Sequence, residues 1–245
     1  MTVKTHKFYI LRHGETDANV SGRIQGSSDF SRLTENGQKQ ARFLGKALVN
    51  NLDITNGVYV SPLSRARDTL SLIRTVHHTF GRPETLLQDL REIDFFDWEG
   101  KVKDELIAEY PDSWQAWESG QAQNVVVPDS SNPDKPLSRY PLVELWVRAD
   151  DVWKTILKLE EEEYTEINEE ATHDSEDTVR SSILVCHGTL GQALLATSLK
   201  EDISFFGQHV FPNCGMVEIE WTIEKKSEGH KFQEKASKWS WFSPA

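Results

Sequence analysis

Cysteine is scarce: Cys186 and Cys214 are the only two in 245 residues. Two thiols make neither the multi-bridge framework of a small secreted scaffold nor a thiolate metal centre. Both stand in apolar surroundings and read as reduced, buried side chains. The sequence also has no run of about 18 apolar residues, the length needed to cross a bilayer, so no membrane association is expected. The first seven residues are polar and contain no signal-peptide core, which leads us to expect a cytoplasmic location. Basic segments interleaved with aromatic residues are missing too, and with them the signature of a nucleic-acid partner.

Charge of one sign is abundant but localised. The formal net charge is -12, yet residues 160–177 hold 10 acidic residues and no Lys or Arg. Without them 29 acidic residues face 27 basic ones, so the rest of the chain is close to neutral. A block of this kind repels itself and reads as an acidic insertion, a solvated loop or a frayed helix end. At 245 residues the chain is expected to form one domain, 1–245, with a variable loop at 119–142 and the acidic insertion at 160–177. Composition does not decide between monomer and homodimer.

Strand and helix patterns alternate. Phe8–Leu11 is a short apolar run ending in Arg12-His13-Gly14. Thr34 is a fair N-cap for an amphipathic helix carrying Ala41, Leu44 and Leu48. Residues 57–61 predict a second strand, stopped by Pro62, and 64 to about 80 a second helix. Leu86–Leu90 predicts a weak edge strand, and Lys103–Trp117 one or two short helices interrupted by Pro111. Residues 121–141, with four prolines, read as an excursion loop. A long helix is expected over 145–159, the clearest strand over 182–186, a helix from Thr189 to about Leu199, and a last strand over 216–223 before a lysine-rich tail. This alternation predicts an α/β three-layer sandwich, a mostly parallel central sheet flanked by helices.

Ligands of such sheets bind at the carboxyl ends of the strands. Four strand ends carry the chemistry here: Arg12-His13-Gly14, Ser61-Pro62-Leu63-Ser64-Arg65, Leu90-Arg91-Glu92 and His187-Gly188. Together they supply arginines, two histidines and a carboxyl group, a set suited to a phosphoryl group. Guanidinium groups give fixed donors to phosphate oxygens. An imidazole whose other nitrogen donates to a carbonyl can attack phosphorus. A second, protonated imidazole can stabilise the equatorial oxygens, and a carboxylic acid can protonate the departing alkoxide. Arg and His⁺ provide the positive charge, so no metal or other cofactor is expected.

Longer motifs surround these residues. Leu11-Arg12-His13-Gly14-Glu15-Thr16, then Asn19 and Gly22-Arg23-Ile24-Gln25-Gly26, resemble the N-terminal signature of the histidine phosphatase superfamily, the phosphoglycerate mutase-like proteins. Residues 33–41 resemble the start of its first helix. Ser61–Thr69, then Leu90-Arg91-Glu92 with Asp97-Trp98-Glu99-Gly100, then Val185-Cys186-His187-Gly188 resemble its later signatures. The resemblance implies that His13 becomes phosphohistidine, that Arg12, Arg65 and His187 clamp the phosphoryl oxygens, and that Glu92 donates the proton. It implies substrate-binding positions at Asn19, Gln25, Gly26 and Thr189, with Glu15 supporting the site.

The same resemblance bears on the branch. Glycolytic mutases have a second basic residue after the Glu, where this chain has Ile93, and an arginine-rich insertion that residues 121–141 lack. A phosphatase acting on a small organic phosphate monoester is therefore the primary reading; a phosphoglycerate mutase or a protein phosphatase of the same family are the alternatives. Many phosphatases of this family carry Gly-Glu-Ser eight residues before an arginine. Counting back from Arg148 puts Tyr140 in place of that Glu, which makes Arg139 or Tyr140 a candidate substrate contact. Glu144 is expected to pair with Arg148 one helical turn on. Phe95, Phe96, Trp114 and Trp117 are candidates for either an apolar pocket wall or plain core.

Overall fold

A computed structural model describes residues 3–49, 52, 54, 56–77, 82–170, 179–226 and 229–242. In chain order the elements are β1 (Val3–Arg12), α1 (Asp17–Ser21), α2 (Glu35–Leu48), β2 (Val58–Val60), α3 (Ser64–Arg74), β3 (Thr85–Leu86), α4 (Lys103–Glu109) and α5 (Pro111–Glu118). They continue with β4 (Val127–Asp129), β5 (Leu137–Arg139), α6 (Pro141–Glu170), β6 (Arg180–Cys186), α7 (Gly188–Ser198), β7 (Met216–Lys226), β8 (Gly229–Phe232) and β9 (Lys238–Trp241). The main sheet has the order β3-β2-β6-β1-β7-β8, with β9 also on β7. From β3 to β1 all pairs are parallel, and β7 runs antiparallel to β1.

The period-2 alternation of strands builds the layers. Phe8 and Ile10 of β1, with Leu184 and Cys186 of β6, enter one buried cluster with Leu145, Val152 and Ile156 of α6 and Leu190 and Leu194 of α7. Tyr9, Leu11, Ile183 and Val185 point the other way, into a second cluster with Leu44 and Leu48 of α2 and Leu70 and Ile73 of α3. The expected three-layer α/β sandwich with a mostly parallel sheet is the architecture observed.

Several local expectations need correction. The acidic segment is not a solvated loop as far as Glu170: α6 runs through it, and Glu160 and Tyr164 are buried. The helix is amphipathic beyond the point where its composition turns acidic, because Leu142, Leu145, Ala149, Val152, Trp153, Ile156, Glu160 and Tyr164 fall on one stripe. Residues 171–177 lie outside the described residues. The excursion loop contains a hairpin, β4 paired antiparallel to β5. Asp97 ties it down by accepting from Ser130 N at 3.0 Å and Ser130 Oγ at 2.7 Å. The edge strand keeps only Thr85–Leu86 before a 3-10 turn at Gln88–Leu90. The lysine-rich tail forms β8 and β9, which cover the outer edge of the long β7. Pro111 does interrupt a helical stretch, starting α5 at its first position, where a missing N–H costs nothing. Glu144 pairs with Arg139 at 2.7 Å and not with Arg148.

Candidate active site

The carboxyl ends of β1, β2 and β6 gather the titratable groups. His13 follows β1 and is buried, with its backbone N donating to Cys186 O of the neighbouring strand at 3.1 Å. Its Nδ1 lies 2.7 Å from Gly14 O. A carbonyl only accepts, so Nδ1 carries the proton and the lone pair of the neutral ring is on Nε2. Burial holds this imidazole well below its usual pKa, aided by Arg65 and Arg12 and opposed by the bond to Gly14. The neutral form, with its lone pair on Nε2, is therefore favoured at neutral pH. Gly14 is required by close approach: a Cβ there would lie 2.6 Å from Gly37 O at the start of α2. Glu15 supports the same junction, accepting from Thr34 Oγ1 at 2.7 Å and Asn36 Nδ2 at 3.1 Å.

Arg12 ends β1 and donates from Nη1 to Phe211 O, while its buried Nε has no partner among the described residues. Arg65 opens α3 and is wholly buried. It donates from Nη2 to Gly26 O at 2.7 Å, from Nη1 to Ser28 O at 2.9 Å and from Nε to His187 Nδ1 at 3.3 Å. Two of its three nitrogens thus hold the 26–28 turn, more of its donor set than a phosphoryl clamp leads one to expect. Burial pulls both guanidinium groups down, and the Glu92 charge opposes this most. Both stay charged.

His187 precedes α7, and its ring centroid is 5.2 Å from that of His13. Its Nδ1 faces Arg65 and its Nε2 lies 2.8 Å from Ser61 Oγ. Burial lowers its pKa well below the usual value, followed by the charges of Arg65, His13, Arg148 and Arg12. Burial and four positive or proton-binding neighbours thus favour the neutral ring while no anion is bound.

Glu92 places its carboxyl group at the head of α7. Oε2 accepts from Thr189 N at 3.0 Å, and Oε1 accepts from Leu190 N at 2.9 Å and Ile93 N at 3.0 Å. Three of roughly four acceptor positions are filled among the described residues, which leaves one open. Arg148 on α6 fixes the backbone behind it, donating to Arg91 O at 3.1 Å and Glu92 O at 2.8 Å.

The remaining expected residues divide. Asn19 forms a capping box with Thr16 at the start of α1. Gln25 Oε1 accepts from Thr16 Oγ1 at 2.9 Å and Ser31 Oγ at 2.8 Å. Gly26, at φ 55°, brings its carbonyl to Arg65, and Thr189 joins through its backbone N. Arg139 is not hydrogen-bonded to this group. It stands on β5 with its guanidinium 4.8 Å from the Phe96 ring centroid and paired to Glu144. Phe95 is buried and packs on Trp117 at 5.2 Å between centroids, within one of the core clusters.

Four residues take part in the site without a role that the sequence shows. Arg148 reads from sequence only as a helix partner. Ser61 and Glu99 stand inside the family-like motifs, which is the signal that points to them. Glu99 accepts from Ser27 N at 2.9 Å, Ser28 N at 3.0 Å, Ser28 Oγ and Phe95 N at 3.0 Å, locking the turn that holds Arg65. Asn213 carries no signal; its Nδ2 donates to His13 O at 3.3 Å and Asn19 Oδ1 at 3.2 Å. Among the described residues no group of three or more His, Cys, Asp and Glu side chains is placed to hold a metal. No described helix is long and apolar enough to cross a membrane.

Fold and site together are those of a phosphoglycerate mutase-like α/β sandwich, with two histidines and two arginines at the carboxyl edge of its sheet. The chain belongs to the histidine phosphatase superfamily, branch 1, whose family model matches residues 8–230. It is 32% identical over 219 residues to the probable 2-carboxy-D-arabinitol-1-phosphatase of Arabidopsis thaliana, covering 88% of this chain and 38% of that protein. The 2-carboxy-D-arabinitol-1-phosphatase of Triticum aestivum is 33% identical over 213 residues, with 87% and 36% covered. The chain thus spans a little over a third of the length of these plant relatives. The mycobacterial glucosyl-3-phosphoglycerate phosphatase structure has the same fold, at a TM-score of 0.67 and 22% identity over 96% of this chain and 98% of that one.

Proposed function

We propose that this chain is a phosphatase that hydrolyses a small organic phosphate monoester through a phosphohistidine on His13. The observation that carries the reading is the His13 Nδ1–Gly14 O hydrogen bond, which leaves Nε2 with the lone pair in the field of the buried Arg65 and the half-buried Arg12. Nε2 attacks phosphorus, the P–O ester bond breaks, and its electron pair leaves with the ester oxygen. That oxygen takes a proton from the carboxyl group of Glu92. Water then attacks the phosphohistidine while Glu92 takes its proton back, and phosphate departs with the electron pair of the P–N bond returning to Nε2. Arg12, with its unpaired buried Nε, is the donor best disposed to phosphoryl oxygens. Asn19 and Gln25 border the same loop.

The names of the plant relatives support a phosphorylated sugar acid as substrate class, and 2-carboxy-D-arabinitol 1-phosphate belongs in any substrate panel. The test is phosphate release from such a panel, joined to a rapid alkaline quench with labelled substrate. We expect acid-labile, base-stable phosphate on His13. Label on His187 instead would exchange the roles of the two rings. Isomer exchange far above phosphate release with a phosphoglycerate would make the protein a mutase.

A further inference from the structure

The two rings of the site are bound in different ways. His13 has one nitrogen engaged, whereas His187 is held at both. Arg65 Nε can only donate, so His187 Nδ1 presents a lone pair to it at 3.3 Å. The proton of the neutral ring is therefore on Nε2, which donates to Ser61 Oγ at 2.8 Å. Ser61 is wholly buried just after β2, so no bulk water competes for its hydroxyl. Its own backbone N donates to Val185 O at 3.0 Å, which fixes the residue against β6, the strand that delivers His187. Ser61 Oγ also accepts from Leu63 N, at the longer distance of 3.3 Å.

We propose that Ser61 is a positioning residue for phosphoryl transfer: by accepting the Nε2–H of His187 it turns Nδ1 of that ring, beside Arg65 Nε, toward the reacting phosphoryl group. The proposal rests on the reading of His187 as a phosphoryl ligand. The Nδ1 lone pair, engaged only at 3.3 Å by Arg65 Nε, repels an oxyanion; a proton taken up there ends the bond from Arg65 and leaves Nδ1 and Arg65 Nε both as donors to the phosphoryl group. Ser61 accepts from Nε2 in both charge states and binds more strongly once the ring is cationic. The surroundings oppose that charge. Burial acts first, then Arg65 from α3, His13 and Arg12 from the end of β1, and Arg148 from α6. The Glu92 carboxyl at the head of α7 and the thiol of the preceding Cys186 are the titratable groups that hydrogen bonds place at its helix or next to it in the chain. The ring thus gains its second proton only beside a bound phosphoryl dianion, and the Ser61 hydroxyl eases that step.

The test is ¹⁵N NMR of the full chain labelled at histidine, with orthovanadate as the phosphoryl probe, for wild type, Ser61→Ala and Ser61→Thr. Wild type is expected to show His187 protonated at Nε2 alone, and at both nitrogens with vanadate. In Ser61→Ala the doubly protonated ring should appear only at lower pH. The alkaline limb of kcat should move down by about one pH unit, with kcat at neutral pH falling about tenfold and KM changing less. Ser61→Thr, which keeps the hydroxyl, should restore both. A Ser61→Ala protein with a lowered Tm but the wild-type ¹⁵N pattern and kcat–pH profile would reduce Ser61 to a cap for Leu63 N and overturn the proposal. Vanadate that perturbs His13 but leaves His187 untouched overturns it through its premise, and leaves the histidine nucleophile standing.

Discussion

The two ends of the same strands carry two buried polar clusters, each with a histidine on or just after β1. At the amino end, His6 Nδ1 meets Tyr164 Oη at 3.2 Å and Nε2 meets Ser182 Oγ at 3.0 Å. Glu160 of α6 accepts from Asn56 Nδ2 at 3.0 Å, from Tyr59 Oη at 2.9 Å and from Ser182 Oγ. Arg180 stacks its guanidinium 4.1 Å from the Tyr164 ring centroid. At the carboxyl end Arg12 keeps a buried Nε without a partner among the described residues, His13 keeps a lone pair on Nε2, and Arg12, Arg65 and Arg148 bring three guanidinium groups around the two rings. Burial of polar groups is common to both clusters and so marks neither as a site. The difference lies in what is left over. The amino end leaves Arg180 Nη1 over among the described residues, but it engages both nitrogens of its histidine and fills its carboxylate with three donors. The carboxyl end leaves a ring nitrogen with a bare lone pair among guanidinium groups, an arrangement suited to an anion.

The sharpest way to break this comparison is to delete one histidine from each end. His13→Ala should lower turnover by at least about 10³, the scale of losing a covalent nucleophile. His6→Ala should leave kcat within a few-fold while costing roughly 2–4 kcal/mol of stability, since it opens a cavity and removes one hydrogen bond each from the Tyr164 and Ser182 hydroxyls. Steady-state kinetics and denaturant unfolding of both variants decide it. A His6→Ala enzyme that folds well but turns over a thousandfold more slowly would mean that the amino-end cluster also serves the chemistry.

Glu92→Gln sharpens the carboxyl end. With an ester of a poor leaving group, such as a sugar or glycerate phosphate, we expect formation of phosphohistidine to slow by roughly 10² to 10⁴. An aryl ester leaves without a proton, so its burst should survive even where turnover slows. The structure adds a control. The amide can keep Ile93 N and Leu190 N on its carbonyl only by turning its NH₂ toward Thr189 N, a donor against a donor, at a cost of about 1–3 kcal/mol. Losses that are equal for both leaving groups would reassign Glu92 to holding the head of α7, with Glu15 and Asp94 the next proton donors to test.

How far each cluster can be read in the sequence follows the same division. Arg12, His13, Arg65 and His187 follow apolar strand runs, and these four and Glu92 stand inside contiguous motifs, so all five are marked by the sequence alone, although Glu92 follows a 3-10 turn and not a strand. The layers are legible too, since Phe8–Leu11 and Ile183–Val185 are apolar on both faces, as a buried parallel strand must be. What the motifs cannot show is who binds whom: that Arg65 spends two nitrogens on Gly26 and Ser28, that Arg148 turns from Glu144 to the backbone of Glu92, and that Asn213 reaches His13 O from 200 residues away. The amino-end cluster is illegible for another reason. Glu160 begins a run of acids, and composition there argues for solvent, while its burial depends on Asn56, Tyr59 and Ser182 arriving from other elements. Glu161 is caught likewise, accepting from Phe232 N at 3.0 Å, so the acidic run is not freely removable at its start.

The smallest expected effect tests the amino end by charge alone. Burial raises the Glu160 pKa above the ordinary carboxylate range, against the pull of its three hydrogen bonds. A folded-state pKa above the unfolded value means that the native state binds more protons, so this group's contribution to stability is fully present below about pH 4.3 and is lost as pH rises through the folded value. Glu160→Gln mimics the protonated form at every pH. Its carbonyl can keep Tyr59 and Ser182, and the Asn56 amide can turn to accept from its NH₂. The variant should therefore be close to wild type at pH 4 to 5 and gain relative to it toward pH 8, by about 1.4 kcal/mol for every tenfold by which folding weakens the acid. For a chain of this size that is a few degrees of Tm. His6, pulled down to about 3 by burial and by Arg180, is neutral in the folded state across the window and drops out of the difference. Unfolding of the two proteins from pH 4 to pH 8 gives the curve. A difference that does not change with pH would show that Glu160 titrates alike folded and unfolded, and one that grows toward acid in favour of Gln would show that its three donors outweigh burial and hold it as a carboxylate.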